Sequence, residues 1–137
     1  MHRILIAVGA FVCSTVGAVA QTHKEPPPEA RATRPCAKGS FNFNFGQASK
    51  EIEGRTIVQG EVCGGYHWRP GKVQLKRLLI ASPPQRGQLS LRDPGQLYYR
   101  APMNYMGPDR FTIRLCGEGP RYAGCIDLIY TMQVVAR

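Results

Sequence analysis

The chain is poor in acid and nearly devoid of histidine. Nine Asp and Glu stand against 18 Lys and Arg, with three histidines. Two of those, His2 and His23, lie near the N-terminus, which leaves His67 in the main body. A Ser-His-Asp arrangement drawn from Ser82 or Ser90, His67 and Asp93 has no supporting spacing, and no nucleophile-elbow motif occurs. No C-x-x-C pair is present, which disfavours a zinc site. Gly117-Glu118-Gly119 runs into Pro120 and not into a lysine and a helix, so it does not read as a phosphate loop. No internal repeat is visible. No catalytic residue, metal ligand set or cofactor is therefore expected.

What is present starts with an export signal. His2 and Arg3 give a positive start, and residues 4–19 are apolar apart from Ser14 and Thr15. Ala18-Val19-Ala20 is a small-x-small cleavage signal before Gln21. A membrane anchor fits less well, because the apolar run is short and no positive stop follows at once. A lipoprotein signal needs a small residue before Cys13, and Val12 stands there. The expectation is a signal peptide over residues 1–20 and a periplasmic or secreted mature chain without a transmembrane segment. Removal of Cys13 leaves Cys36, Cys63, Cys116 and Cys125. Four cysteines in a small exported domain imply two disulfides.

Cleavage removes only Arg3 of the 18 basic residues, so 17 remain against 9 acidic ones. The excess lies late: residues 69–121 hold ten basic and three acidic side chains. Such a field attracts polyanions, whereas the plainer reading is a soluble basic protein with solvated strands. Residues 21–38 carry Pro26-Pro27-Pro28 and no periodic apolar pattern, which predicts a stiff, extended or disordered leader.

Residues 39–137 read as strands and turns. In 40–45, Phe41, Phe43 and Phe45 alternate with Asn42 and Asn44, the pattern of a half-buried strand. Residues 46–54 read as a polar connection and 55–63 as a second strand, which Gly64-Gly65 ends. Further strands are expected at 73–81, 88–92, 96–100, 110–116 and 125–135, with turn signals at Pro70-Gly71 and Asp93-Pro94-Gly95. Phe111, Ile113 and Leu115 share one inward face, as do Ile126, Leu128, Tyr130, Met132 and Val134. Seven short strands predict an all-β, immunoglobulin-like antiparallel sandwich.

Parity also pairs the cysteines. Cys116 and Cys125 both fall on the outward face of neighbouring strands, as a cross-strand bridge requires. If they sit opposite each other, antiparallel register sets Arg114 opposite Asp127. Elimination then joins Cys36 to Cys63, at the open end of a hairpin made by the first two strands. The rival is Cys63 with Cys116, a bridge between the sheets.

Pro84, Gly87, Leu89, Tyr99, Pro102, Asn104, Tyr105, Gly107, Asp109 and Phe111 form a P-x-x-G-x-L, aromatic-x-x-Pro, N-Y-x-G-x-D-x-F pattern. This resembles the bacterial cadherin-like and immunoglobulin-like repeats over roughly 73–135. The resemblance implies a sandwich scaffold and not a particular activity. Many such repeats carry an acidic calcium-binding stretch before the third strand. The corresponding residues here, 63–72, contain no carboxylate, so the usual site is missing. Asp109 matches the pattern's aspartate, and is expected to accept backbone hydrogen bonds at the turn into the sixth strand.

Two groups of residues are candidates for binding. Tyr66, His67, Trp68 and Arg69 lie on a glycine-flanked loop, where rings can stack on a sugar or base or anchor a protein. The plainer alternative has Trp68 covering one end of the core and His67 solvated. Lys76, Arg77 and Arg86 represent the basic stretch, facing an anionic polysaccharide or nucleic acid. The expected function is a small exported binding or structural module of the cell envelope, its partner an envelope protein or anionic polymer. Polyanion binding is one alternative; enzyme inhibition through the loop 66–69 is the other.

Overall fold

Two long alternating stretches build the centre of the molecule. A computed structural model of the chain describes residues 34–66, 74–92 and 95–137. The strands are β1 (Ser49–Val58), β2 (Val62–Tyr66), β3 (Gln74–Ser82), β4 (Gln88–Arg92), β5 (Gln96–Arg100), β6 (Gly107–Glu118) and β7 (Ala123–Val135). In β6, Phe111, Ile113 and Leu115 are buried and alternate with more exposed residues. In β7 the buried set is Ile126, Leu128, Tyr130, Met132 and Val134. The two strands pair antiparallel, and their inward residues meet as Phe111↔Tyr130, Ile113↔Leu128 and Leu115↔Ile126. Period-two patterning can be satisfied in only one register when one face is buried.

The strands form a two-layer all-β sandwich. One sheet has the order β1-β7-β6-β3 and the other β2-β5-β4. All pairings are antiparallel except β1 with β7, which is parallel. An aromatic stack crosses the core from Tyr99 on β5 to Phe111 on β6 (centroids 5.4 Å apart) and on to Tyr130 on β7 (4.9 Å). Each such pair contributes about 0.5–1.5 kcal/mol beyond its buried area.

The N-terminal half departs from the pattern-based expectation in several respects. Residues 40–45 make no strand, although Phe45 is buried and Phe41 and Phe43 pack against the core. Alternation there reports which way the side chains face, not that the backbone has a ladder partner. The segment read as a polar connection contains the start of β1, whose Ser49, Glu51 and Glu53 point to solvent. The run 55–63 is divided by a turn, closed by the Glu61 N–H donating to Val58 O at 3.0 Å. Gly64 and Gly65 lie within β2 instead of ending it. At Gly64 a Cβ would stand 2.4 Å from Leu97 O on the neighbouring strand, so the ladder itself requires glycine.

The first two strands are not a hairpin, because β1 and β2 belong to different sheets. Segment 34–38, expected within the leader, is instead built into the seam between them. Lys38 N–H donates to Glu53 O, Arg55 N–H to Cys36 O, and Gly64 N–H to Arg34 O, all within 2.9 Å. Cys36 is fully buried and disulfide-bonded to Cys63 on β2, so this bridge ties one edge of the sandwich shut. Cys116 is bonded to Cys125, opposite it in register. Cys116–Cys125 is the pairing parity required and Cys36–Cys63 the one elimination left, though not at the end of a hairpin, and Arg114 stands opposite Asp127 as the register requires. Among the described residues, no helix is long and apolar enough to cross a membrane. The expected signal segment, residues 21–33 of the leader and the Asp93-Pro94 turn pair lie outside the described residues.

Candidate functional site

Three connections leave the sandwich at one end. β2 ends at Tyr66, opposite Gln96. β3 begins at Gln74, opposite Glu118. The turn between β4 and β5 follows Arg92, which also pairs with Gln96. The loop between β6 and β7 opens after Glu118 and is pinned by the Gly119 N–H donating to Tyr122 O at 2.8 Å. The connection from Tyr66 to Gln74 therefore begins beside the β4–β5 turn and ends beside the β6–β7 loop. His67, Trp68 and Arg69 themselves, and the side chain of Tyr66, lie outside the described residues.

At this end the structure has a cleft of about 260 Å³ between segment 43–45 and the β6–β7 loop. Phe43, Phe45, Pro120 and Tyr122 supply its apolar wall, and Asn44 and Arg121 its polar groups. Phe45 is held inward by contact with Gly117, where a Cβ would meet its ring at 2.8 Å. Phe43 meets Phe45 edge-on at 5.8 Å. Tyr122 is 53% exposed. Rings fixed on one wall and exposed on the other suit stacking on a flat or apolar ligand group, with Arg121 and Asn44 as directional partners. The sequence reading missed these residues. The available signal was an aromatic in a glycine- and proline-rich loop, the same signal that drew attention to Trp68.

The basic candidates do not form one surface. Lys76 and Arg77 are exposed on β3, near the end that carries the cleft. Arg86 follows the far end of β3. The five residues from Arg77 to the end of β3 already span about 16 Å, beyond a Debye length of about 8 Å, so these charges act separately. Arg86 lies over the Tyr105 ring at 4.6 Å and offers its backbone N–H to Asp109 Oδ1 at 3.3 Å. Lys76 sits where the register of β3 against β6 shifts. Charge and irregularity on an edge strand discourage pairing with other chains, which gives Lys76 and Arg77 a structural role as well.

Acidic groups on the larger sheet are taken up locally. Arg114 grips Asp127 with two bonds of 2.7 and 3.0 Å. That hydrogen bond first, and the guanidinium charge with it, hold the Asp127 carboxyl below its ordinary value against the opposing effect of burial. Arg110 bonds Glu51 and Lys38 bonds Glu53, each at 2.7 Å. Asp109 is buried, accepting from the Gly87 N–H at 2.8 Å and the Tyr99 hydroxyl at 2.7 Å. It does accept backbone hydrogen bonds, but from the turn before β4. Burial first, and then Asp109, push the Tyr99 phenol well above its usual range.

No protein-family model matches the chain, and no curated protein matches it. Among solved structures, it is similar to a 2,6-sialyltransferase from Vibrionaceae Photobacterium sp. JT-ISH-224, solved with CMP and lactose. The identity is 15% and the TM-score 0.45, over 65% of this chain and 18% of the enzyme. The chain thus spans under a fifth of that protein's length, and a likeness of this size carries no argument about function.

Proposed function

We propose that the protein is an exported immunoglobulin-like, cadherin-like module of the cell envelope, periplasmic or secreted, that acts by binding and performs no catalytic step. Two disulfides and the small-x-small signal before Gln21 support the compartment. The observation that carries the binding role is the open aromatic cleft at Tyr122, beside the point where the connection bearing Trp68 rejoins the sandwich at Gln74. Loops grouped at one end of a rigid sandwich are a common way to display binding residues. The partner is an envelope protein, docked with aromatic anchors.

Capture from envelope extract by wild type, Tyr122→Ala and Trp68→Ala protein tests this reading. One protein retained by wild type and lost by both variants, with melting temperatures unchanged, is the expected result. Equal capture by all three overturns it.

A further inference from the structure

A second cleft, of about 370 Å³, lies at the seam between β1 and β2, next to the Cys36–Cys63 bridge. Its charged wall consists of Arg34, Arg55, Arg137 and one acid, Glu61. We propose that this cleft binds an oxyanion, a phosphate or sulfate group, through the three arginines.

The backbone aims Arg55 at the seam. β1 and β7 pair in register to Glu53↔Thr131 and resume at Thr56↔Gln133, so Gly54 and Arg55 together face Met132. A bulge of this kind redirects a side chain and recurs beside functional sites. Arg55 Nε then donates to Pro35 O at 2.5 Å, which fixes the guanidinium and leaves its terminal nitrogens free to grip two oxygens. Arg34 is anchored by its own backbone, whose carbonyl accepts from Gly64 N–H, and by the nearby disulfide. The Arg137 backbone N–H donates to Gln59 Oε1 at 3.3 Å. Glu61 Oε2 accepts from Val58 N–H at 3.3 Å, a turn contact and not an ion pair with any of the three arginines. Elsewhere on β1, Glu51 and Glu53 pair with Arg110 and Lys38, whereas these three guanidiniums have no carboxylate partner among the described residues. Three cations gathered in a concave seam, one of them with its fork held in place, match a tetrahedral oxyanion better than a lone point charge does.

All three arginines fall outside residues 69–121, so this site is separate from the basic stretch that dominates the sequence. The oxyanion has two possible sources, a soluble phosphate or sulfate and a phospholipid headgroup.

Amide chemical shifts of the full mature chain, titrated with inorganic phosphate and then inorganic sulfate, test the proposal. Saturable shifts at Arg55, Gly60, Val62 and Gly64 are expected. Arg34→Gln with Arg137→Gln should weaken binding at least about tenfold, the loss expected for a charged hydrogen-bond pair. Arg55→Lys keeps the charge and loses the fork, and should also weaken binding; its melting temperature reports whether the fold is intact. Lys76→Gln with Arg77→Gln should change nothing at these amides. Sedimentation with phosphatidylcholine vesicles, with and without phosphatidylglycerol, separates the sources: retention that needs phosphatidylglycerol and falls with Arg34→Gln and Arg137→Gln assigns a headgroup. Binding that never saturates, or that survives the paired arginine substitutions with either probe, overturns the proposal.

Discussion

Tyr99 on β5 donates its hydroxyl hydrogen to Asp109 Oδ2 on β6 at 2.7 Å, so one hydrogen bond crosses the core from the smaller sheet to the larger. Both residues are buried, and the other Asp109 contacts are the backbone N–H groups of Arg86 and Gly87. The carboxylate thus ties the turn before β4 to both sheets.

Asp109→Ala strands the Tyr99 hydroxyl and two backbone donors. An unmet buried polar group costs about 1–3 kcal/mol, so the loss should exceed about 3 kcal/mol in total. Tyr99→Phe leaves Asp109 with its backbone partners and should cost about half as much or less. Urea unfolding of the two variants should rank them in that order.

The two disulfides should differ in worth. They span 27 and 9 residues, and the chain-entropy model gives about 3.5 kcal/mol for Cys36–Cys63 against about 2.5 for Cys116–Cys125. Replacing Cys36 and Cys63 by alanine should therefore lower stability more, and more still because segment 34–38 would come loose from both sheets. Peptide mapping without reduction should recover these two linkages and no fragment joining Cys63 to Cys116.

The Arg114–Asp127 pair lies on the outer face and should contribute only about 0–1 kcal/mol. Its pH dependence has a definite sign. Because the folded carboxyl sits below its ordinary value, the contribution is complete above the usual carboxylate range of about pH 4 and is lost as pH falls through the folded value. Stability curves of wild type and Asp127→Asn should converge in acid and separate above it.

Calcium should not stabilise the domain. Glu51, Glu53 and Asp127 are engaged by Arg110, Lys38 and Arg114, and Asp109 is buried against its own donors. A site filled at 100 times its dissociation constant would add about 2.7 kcal/mol. Melting curves with excess calcium and with chelator should overlay.

The C-terminal half was legible because its signals are local. β4 and β5 flank a turn marked by Asp93-Pro94-Gly95, and β6 and β7 carry unbroken alternation, so even the pairing of Arg114 with Asp127 followed from parity. The N-terminal half was not. Phe41, Phe43 and Phe45 pack inward as strand residues do, but alternation cannot show that the backbone lacks a partner. Gly54 reads as a break, whereas a Cβ there would lie 2.5 Å from Thr131 O, so close approach of β7 demands it. The parallel pairing of β1 with β7 depends on a partner more than seventy residues away in sequence, which no local pattern reveals. The candidate site was half legible for the same reason: the loop carrying Trp68 announced itself, but Tyr122 is brought to the end of the sandwich where β3 begins by the pairing of β6 with β7 and β3.

Photo-crosslinking in cells tests the binding role most directly. A photoreactive residue at position 122, in the cleft, should trap one defined envelope protein, and the same residue at position 112, on the outer face of β6, should trap none. Equal trapping at both positions, or trapping at 112 alone, would contradict the assignment of the loop end as the binding surface.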